Sequence, residues 1–194
     1  MAGKNIGLAF SLVLAVCMYV HAVDSITDTF VLEGGIEVTV EIDGDDGLLT
    51  IEASITNNTA DRLMVDRYFL GRYPLYLADE NGKRGALVRP PNSPRLIVNP
   101  ASVSPADIDI LEQGETKLYC KQYEFEQTAN RFVLSYYYLD EPFIENVFEN
   151  PQTVKITVGY HSIEADIAVM MQTHSDIPIM PDFSRTYTLA EFGQ

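Results

Sequence analysis

Five side chains near the C-terminal end have the chemistry of soft-metal ligands. Imidazole nitrogens and thioether sulfurs suit copper, and a secreted copper carrier would need several of them close together. The residues concerned are His161, Met170, Met171, His174 and Met180. A copper carrier is therefore one functional hypothesis. The alternative is a core role, because Met171 has the same alternating parity as the apolar residues at positions 163–169.

The acidic segment DGDDG at residues 43–47 contains oxygen ligands of the kind that bind calcium. Its spacing departs from the EF-hand loop, since position twelve counted from Asp43 is Ser54. Glycine and aspartate are also the residues that tight turns require. We favour a solvated hairpin turn over a calcium site, and we expect no bound cofactor.

The strongest candidate for a binding surface is the basic and aromatic segment RYFLGRYPLY at residues 67–76. Tyrosine and arginine are the side chains that most often anchor protein interfaces. A long loop at residues 89–105 follows, in which five prolines favour extended backbone. The predicted contact residues are Arg67, Tyr68, Arg72, Tyr73, Tyr76, Arg89 and Arg95. The alternative is that the tyrosines close the edge of a sheet.

The sequence contains none of the short motifs that mark common catalytic sites. A nucleophile elbow, a zinc-binding HEXXH pair and a glycine-rich phosphate loop are all missing. A Ser-His-Asp site would have to use His161 or His174, and no neighbouring pattern frames either histidine. We therefore predict that the protein is not an enzyme.

The first 22 residues have the pattern of a secretory signal peptide. Lys4 precedes an apolar run at residues 6–20, and the triplet VHA that ends at Ala22 is of the kind that signal peptidase recognises. The run is shorter than the roughly 20 residues that span a bilayer, which argues against the alternative of a retained anchor. A lipoprotein attached through Cys17 fits less well, because a valine precedes this cysteine. We predict cleavage after Ala22, a secreted or periplasmic location, and no stable membrane span thereafter.

The predicted mature chain, residues 23–194, is strongly acidic. The whole sequence carries 13 lysines and arginines against 28 aspartates and glutamates. Lys4 is the charged residue lost with the leader, so the net charge becomes 12 − 28 = −16. Such a chain repels nucleic acid and anionic membranes and favours basic partners. We therefore predict a protein partner and no binding of nucleic acid.

The elements that would position these side chains are β-strands. Residues 36–42 and 49–55 alternate apolar and polar side chains with a period of two, and the DGDDG turn joins them into a hairpin. Further short runs of this kind follow along the chain, without a long helical stripe. We expect an all-β fold, an antiparallel β-sandwich with a long proline-rich loop, in a single domain over residues 23–194.

Four local expectations complete this prediction. The Asn-Gly dipeptide at residues 81–82 predicts a hairpin that returns through residues 86–88. The acidic and aromatic stretch at residues 141–151 is interpreted as a connection with one helical turn. Cys120 is expected to be a buried and inert thiol, with an intermolecular disulfide or a reactive thiol as alternatives. Asn57 heads an N-x-T sequon, for which we favour a plain turn over glycosylation.

Three fragments resemble turns of bacterial immunoglobulin-like domains. They are LLTIEASITNNT at residues 48–59, LYLADENGK at residues 75–83 and LEQGETKLY at residues 111–119. Their order is similar to that of the intracellular proteinase inhibitor type. The resemblance implies an immunoglobulin-like sandwich and, as a functional expectation, proteinase inhibition. This chain differs from that type by its leader, by its proline-rich insert and by the lack of tryptophan.

Three functional hypotheses follow from the sequence. The first is a secreted, non-enzymatic β-sandwich that binds another protein through residues 67–76 and 89–105. The second is proteinase inhibition by an exposed loop near residues 90–96. The third is copper carriage by His161, His174 and the neighbouring methionines.

Overall fold

Antiparallel β-sheets dominate the structure and confirm the all-β prediction. The computed structural model describes residues 23–45, 47–70, 75–91, 93, 105–138, 141–160, 168, 172 and 174–189. The strands are β1 (Val23–Val31), β2 (Ile36–Asp45), β3 (Leu48–Asn57), β4 (Leu63–Asp66), β5 (Tyr76–Asp79), β6 (Ala86–Val88), β7 (Ile108–Leu111), β8 (Thr116–Thr128), β9 (Arg131–Tyr138), β10 (Glu141–Glu149), β11 (Val154–Tyr160) and β12 (Phe183–Leu189). A turn of 3-10 helix at Pro105–Asp107 precedes β7. Within the described part of the chain, no helix is long and apolar enough to cross a membrane.

The strands form three sheets. The largest has seven strands in the order β1-β2-β3-β8-β9-β10-β6, and a second has three strands in the order β12-β11-β5. Strands β4 and β7 make a small third sheet. All of these strand pairs are antiparallel.

The β2–β3 hairpin has the predicted form. Its register runs without interruption from the pair Ile36↔Asn57 to the pair Asp45↔Leu48. Alternate side chains point to opposite faces of a strand, so the apolar set of both strands lies on one side, fully buried. Gly47 has a φ of 79°, a conformation that glycine adopts without steric cost in the tight turn.

A single hydrophobic cluster contains inward side chains of both larger sheets, for example Ile42 of β2 and Ile156 of β11. The aromatic rings of Phe30 on β1 and Phe183 on β12 meet edge to face, with centroids 5.4 Å apart. Nearby, the Tyr187 hydroxyl donates a hydrogen bond of 3.0 Å to the Asp28 carboxylate. The seven-stranded and three-stranded sheets therefore share one core.

Residues 141–149 form the strand β10, so the prediction of a helical connection there is wrong. Strand β10 pairs with β9 over most of its length, and a bulge between Pro142 and Ile144 shifts the register. The bulge adds a residue to one strand and breaks the period-two pattern on which recognition from sequence depends. The aromatic and aliphatic residues of this stretch have the β-propensity that the pairing uses.

The strand β6 also differs from the expectation of a simple hairpin. It pairs with β10 in the seven-stranded sheet, and its link to β5 is a single bridge between Ala78 and Arg84. Gly85 allows β6 to pair with β10, because a Cβ at this position would lie 2.0 Å from Oδ1 of Asn146. Only glycine lets the chain approach β10 so closely.

Cys120 is exposed, which contradicts the expectation of a buried thiol. On β8 it lies between the two core-facing tyrosines Tyr119 and Tyr123, which are 5% and 4% exposed. Tyr119 is its direct neighbour in the strand, and direct neighbours point to opposite faces. The thiol therefore faces away from the core.

Asn57 joins four parts of the chain at the end of β3, although it is a polar residue with 0% exposure. Its side-chain nitrogen donates to the carbonyls of Asp61 and Leu111 at 2.8 and 3.0 Å. Its side-chain oxygen accepts from the backbone N–H and the hydroxyl of Thr59 at 3.1 and 2.7 Å. Its backbone bonds to Gly114 and Glu115 in the turn before β8. Both atoms of the amide are thus fully used, and the nitrogen that a glycan would need is inaccessible.

We expect Asn57→Asp to lower the free energy of unfolding by about 2–4 kcal/mol. The substitution removes both donated hydrogen bonds and places a carboxylate beside carbonyl oxygens, and each buried group left unsatisfied costs about 1–3 kcal/mol. Urea denaturation followed by circular dichroism measures the effect. Asn58→Asp is the matched control, because Asn58 is the exposed neighbour and undergoes the same change of charge. Equal midpoints for the two variants would contradict the role of Asn57.

Candidate functional site

The first part of the predicted basic and aromatic segment forms a tight turn after β4. The N–H of Tyr68 donates to Oδ1 of Asp66 at 2.9 Å, and the N–H of Arg67 donates to the carbonyl of Asp107 at 2.8 Å. This turn leaves Tyr68 51% exposed, whereas Leu70 is buried and accepts a hydrogen bond from the Tyr123 hydroxyl. Neighbouring residues of the segment therefore have different environments.

Arg67 is held by a buried carboxylate. Its Nε and Nη2 donate to Oδ1 of Asp109 at 3.2 and 3.0 Å, and Nζ of Lys117 donates to the same oxygen at 2.9 Å. The Asp109 side chain is 4% exposed, while the two cations are 46% and 41% exposed. Burial alone would raise the pKa of Asp109, but the hydrogen bonds and charges of Lys117 and Arg67 outweigh it and lower the pKa. This arrangement stabilises the β4–β7 sheet.

An aromatic cluster lies under this ion pair. The ring of Phe69 packs edge to face against those of Tyr119, Tyr160 and Phe183, with centroids 5.2, 5.6 and 6.4 Å away. Burial raises the pKa of the Tyr119 hydroxyl strongly, and the nearby Asp109 carboxylate adds to this effect. The hydroxyl therefore remains protonated over the whole physiological range. In this part of the segment, Arg67 is bound to Asp109 and Phe69 packs against other aromatic rings, so both side chains have a role within the fold.

The exposed aromatic at the other end of the segment is Tyr76, on β5. Its ring is 43% exposed, and the guanidinium carbon of Arg84 lies 4.3 Å from the ring centroid, which is a cation–π geometry. The next residue, Leu77, is 1% exposed and points into the core. Alternation along β5 therefore presents Tyr76 on the outward side of the three-stranded sheet.

The register of β5, β11 and β12 defines the rest of this outward face. Tyr76 pairs with Thr157, which pairs in turn with Thr186, and the hydroxyls of the two threonines are 2.9 Å apart. Lys155 lies two residues before Thr157 on the same side and reaches the carbonyl of Glu80 with its ammonium group. We call this surface the Tyr76 face. The residues with outward parity are Tyr76, Ala78, Lys155, Thr157, Gly159, Ser184, Thr186 and Thr188, with Arg84 above Tyr76. Ala78 is covered and is only 4% exposed.

The Tyr76 face is unusual for its charge. The residues that define it include two cations and no carboxylate, in a chain that carries 28 acidic residues. Glu80 lies at its edge, where its carboxylate accepts the N–H groups of Gln152 and Thr153. Arg84 makes no ion pair with another described residue. Sequence reasoning identified Tyr76 but missed Arg84 and Lys155, because antiparallel pairing and a turn bring them to it from distant positions.

The remaining predicted contact residues are only partly described. Arg89 is exposed directly after β6, and Ser93 donates its N–H to the carbonyl of Pro90 in a turn. Arg72, Tyr73 and Arg95 lie outside the described residues, as does most of the loop at residues 89–105. Their part in a contact surface stays a prediction, and so does the inhibitory loop near residues 90–96.

The copper hypothesis stays a prediction as well. Met180 is 1% exposed in the main core, and His174 is partly buried. His161 and Met170 lie outside the described residues. Within the described ranges, no group of three or more histidine, cysteine, aspartate or glutamate side chains is placed to hold a metal ion.

Comparison of the chain with protein-family models, with curated proteins and with solved structures found no match. The resemblance to the intracellular proteinase inhibitor type therefore depends on the three turn fragments. Two of these fragments meet in the structure, because Asn57 bonds to Leu111, Gly114 and Glu115. The third is a turn in which Oδ1 of Asp79 accepts the N–H groups of Asn81 and Lys83. Each fragment thus stabilises a turn through hydrogen bonds to the backbone, and this role does not require that the chain share the function of the proteinase inhibitors.

We expect Asp109→Asn to lower the free energy of unfolding by about 1–3 kcal/mol at neutral pH, because a buried charged acceptor is lost. The pKa of Asp109 is lowered in the folded state, so its contribution is present above the pKa of an unfolded carboxyl, about 3.9. The contribution disappears as the pH falls through this value toward the lower folded pKa. Denaturation curves between neutral pH and about pH 2 should show a weaker acid dependence in the variant.

The control for this measurement is Asp176→Asn, which breaks an ion pair with Arg62 at 3.3 Å. That pair is exposed, with the Asp176 side chain 75% accessible, and exposed pairs contribute about 0–1 kcal/mol. A loss of stability as large as that of Asp109→Asn would show that burial is not the cause.

We expect Glu52→Gln to make Cys120 several-fold more reactive toward a disulfide reagent at pH 8. Partial burial raises the pKa of the thiol, and the hydrogen bond and charge of Glu52 raise it further. Because the thiolate is the reactive form, removing the charge of Glu52 increases its fraction. The rate is measured in a Cys17→Ser background, with Glu41→Gln as a control of equal charge. An equal rate in both variants would contradict the pairing of Glu52 with the thiol.

Proposed function

We propose that this chain is a secreted, non-enzymatic β-sandwich of the immunoglobulin-like kind that binds another protein through the Tyr76 face. The observation that carries the proposal is the exposed Tyr76 ring with the Arg84 guanidinium 4.3 Å above it. A stacked arginine and tyrosine offer a rigid apolar area together with a cation, and these two residue types dominate the energy of many interfaces.

The sandwich architecture is supported by the shared core. Inward side chains of the seven-stranded and three-stranded sheets belong to one cluster, and the rings of Phe30 and Phe183 meet across it. Secretion is supported by the apolar leader at residues 1–22, which ends in the triplet VHA. Both features are typical of extracytoplasmic binding and accessory domains.

The partner must tolerate a strongly acidic protein and yet recognise a local patch without carboxylates. At physiological ionic strength charges are screened beyond about 8 Å, so the local cations Arg84 and Lys155 decide the contact once the surfaces meet. The threonines of the sheet add hydrogen-bonding groups to this surface. A protein surface with acidic or neutral side chains fits this chemistry better than nucleic acid, which the net charge repels.

A photocrosslinking residue placed at position 76 tests the proposal. Expressed in the native host, the substituted protein is expected to form one defined adduct that excess unlabelled chain competes away. Tyr68 provides the matched control, because it is an exposed tyrosine of similar accessibility, 51% against 43%. An adduct of equal yield from position 68, or no adduct from position 76, would contradict the proposed face.

The double variant Tyr76→Ala with Arg84→Ala provides the second measurement. We expect it to retain the unfolding midpoint of the natural chain to within about 1 kcal/mol, since both side chains are exposed. Its affinity for the crosslinked partner is expected to fall at least about 30-fold, as loss of interface anchors commonly costs 2 kcal/mol or more. Unchanged affinity in a folded variant would remove the Tyr76 face from consideration.

A further inference from the structure

The seven-stranded sheet has a second surface that the proposed function does not use. In β1, β2, β3 and β8 the core-facing residues alternate with residues that point away from the core. Three aliphatic side chains on this outward side are accessible, namely Val31 at 64%, Leu118 at 55% and Leu48 at 42%. Two of them, Val31 and Leu118, lie on different strands, separated in the sheet by β2 and β3.

The charge of this outward side is entirely negative over three adjacent strands. The carboxylates on the outward positions of β2, β3 and β8 are Glu37, Glu41, Asp43, Asp45, Glu52, Glu124 and Glu126. The two lysines of β8, Lys117 and Lys121, have the opposite parity and lie on the other side. Lys117 is used there in the bond to Asp109. We call this surface the acidic face.

The cross-strand register of the acidic face increases its negative potential. Glu41 on β2 lies directly opposite Glu52 on β3, and like charges in such pairs repel each other. Leu48 lies opposite Glu124, so an exposed aliphatic group and a carboxylate are direct neighbours. Leu118 pairs with Ser54, six positions along β3 from Leu48, so the exposed aliphatic groups lie at separate points of the face. A partner broad enough to reach them would also bring cations that relieve the repulsion.

We propose that the acidic face is a docking surface for a basic protein, which presents lysine or arginine side chains together with apolar side chains that cover the separate aliphatic groups. Charge complementarity selects this occupant. The acidic face of a second copy would bring carboxylates against carboxylates, and nucleic acid or an anionic membrane would be repelled in the same way. This inference is independent of the Tyr76 face, which belongs to the other sheet.

The single thiol on this surface provides a reporter. Cys120 is exposed, lies opposite Glu52 and is two residues from Leu118. In the full chain carrying Cys17→Ser, an environment-sensitive dye on Cys120 reports binding directly at the acidic face. The probe is a synthetic peptide of alternating lysine and leucine, compared with a lysine and serine peptide and with a glutamate and leucine peptide.

We expect saturable binding of the lysine and leucine peptide, weaker binding of the lysine and serine peptide and none of the glutamate and leucine peptide. The triple variant Glu41→Gln, Glu52→Gln and Glu124→Gln should weaken binding about tenfold or more, and Leu118→Ser should weaken it several-fold. The control triple is Glu33→Gln, Asp61→Asn and Glu112→Gln, which removes the same charge from exposed positions elsewhere.

Two results would overturn the inference. If the control triple weakens binding as much as the triple on the acidic face, only the net charge of the chain matters. If the lysine and leucine peptide binds no more tightly than the lysine and serine peptide, or Leu118→Ser changes nothing, the aliphatic groups are not part of a contact. Circular dichroism of each variant confirms that a loss of binding is not a loss of the fold.

Discussion

The side-chain amide of Asn57 is the interaction on which the organisation of the chain depends. It is a fully buried polar group that meets its hydrogen-bonding needs with backbone atoms from two other segments and with Thr59. The end of β3, the corner after it, β7 and the turn before β8 are thereby held together. Because β8 then pairs with β3 along nine consecutive positions, this corner sets the register of the largest sheet.

The acidic residues have two different roles, and the side of the strand decides which. Asp109 points inward, where two cations bind one oxygen of a carboxylate that burial alone would make costly. The carboxylates of β2 and β3 point outward, where water solvates them and their mutual repulsion is small enough to be tolerated. The result is a protein with an acidic face on one sheet and a carboxylate-free Tyr76 face on the other. The two proposed contacts therefore require partner surfaces of different charge.

Local sequence was sufficient wherever a strand followed a simple period. The β2–β3 hairpin and its turn were recognisable because burial alternates along both strands. It failed at β10, where a bulge shifts the pattern, and at β6, whose partner is a strand more than 50 residues away. Cys120 was misplaced because composition, rather than parity with Tyr119, guided that prediction.

The candidate site also combines properties that the sequence predicted with contacts that it did not. Sequence alone determined that the chain is acidic, rich in strands and equipped with one basic and aromatic segment, since these properties depend on composition and on neighbours along the chain. Only the tertiary structure decided that Arg67 pairs with the buried Asp109, while Tyr76 and Arg84 stack on each other at the surface. The physical reason is that side chains interact through space, and strand pairing between distant segments decides which residues meet.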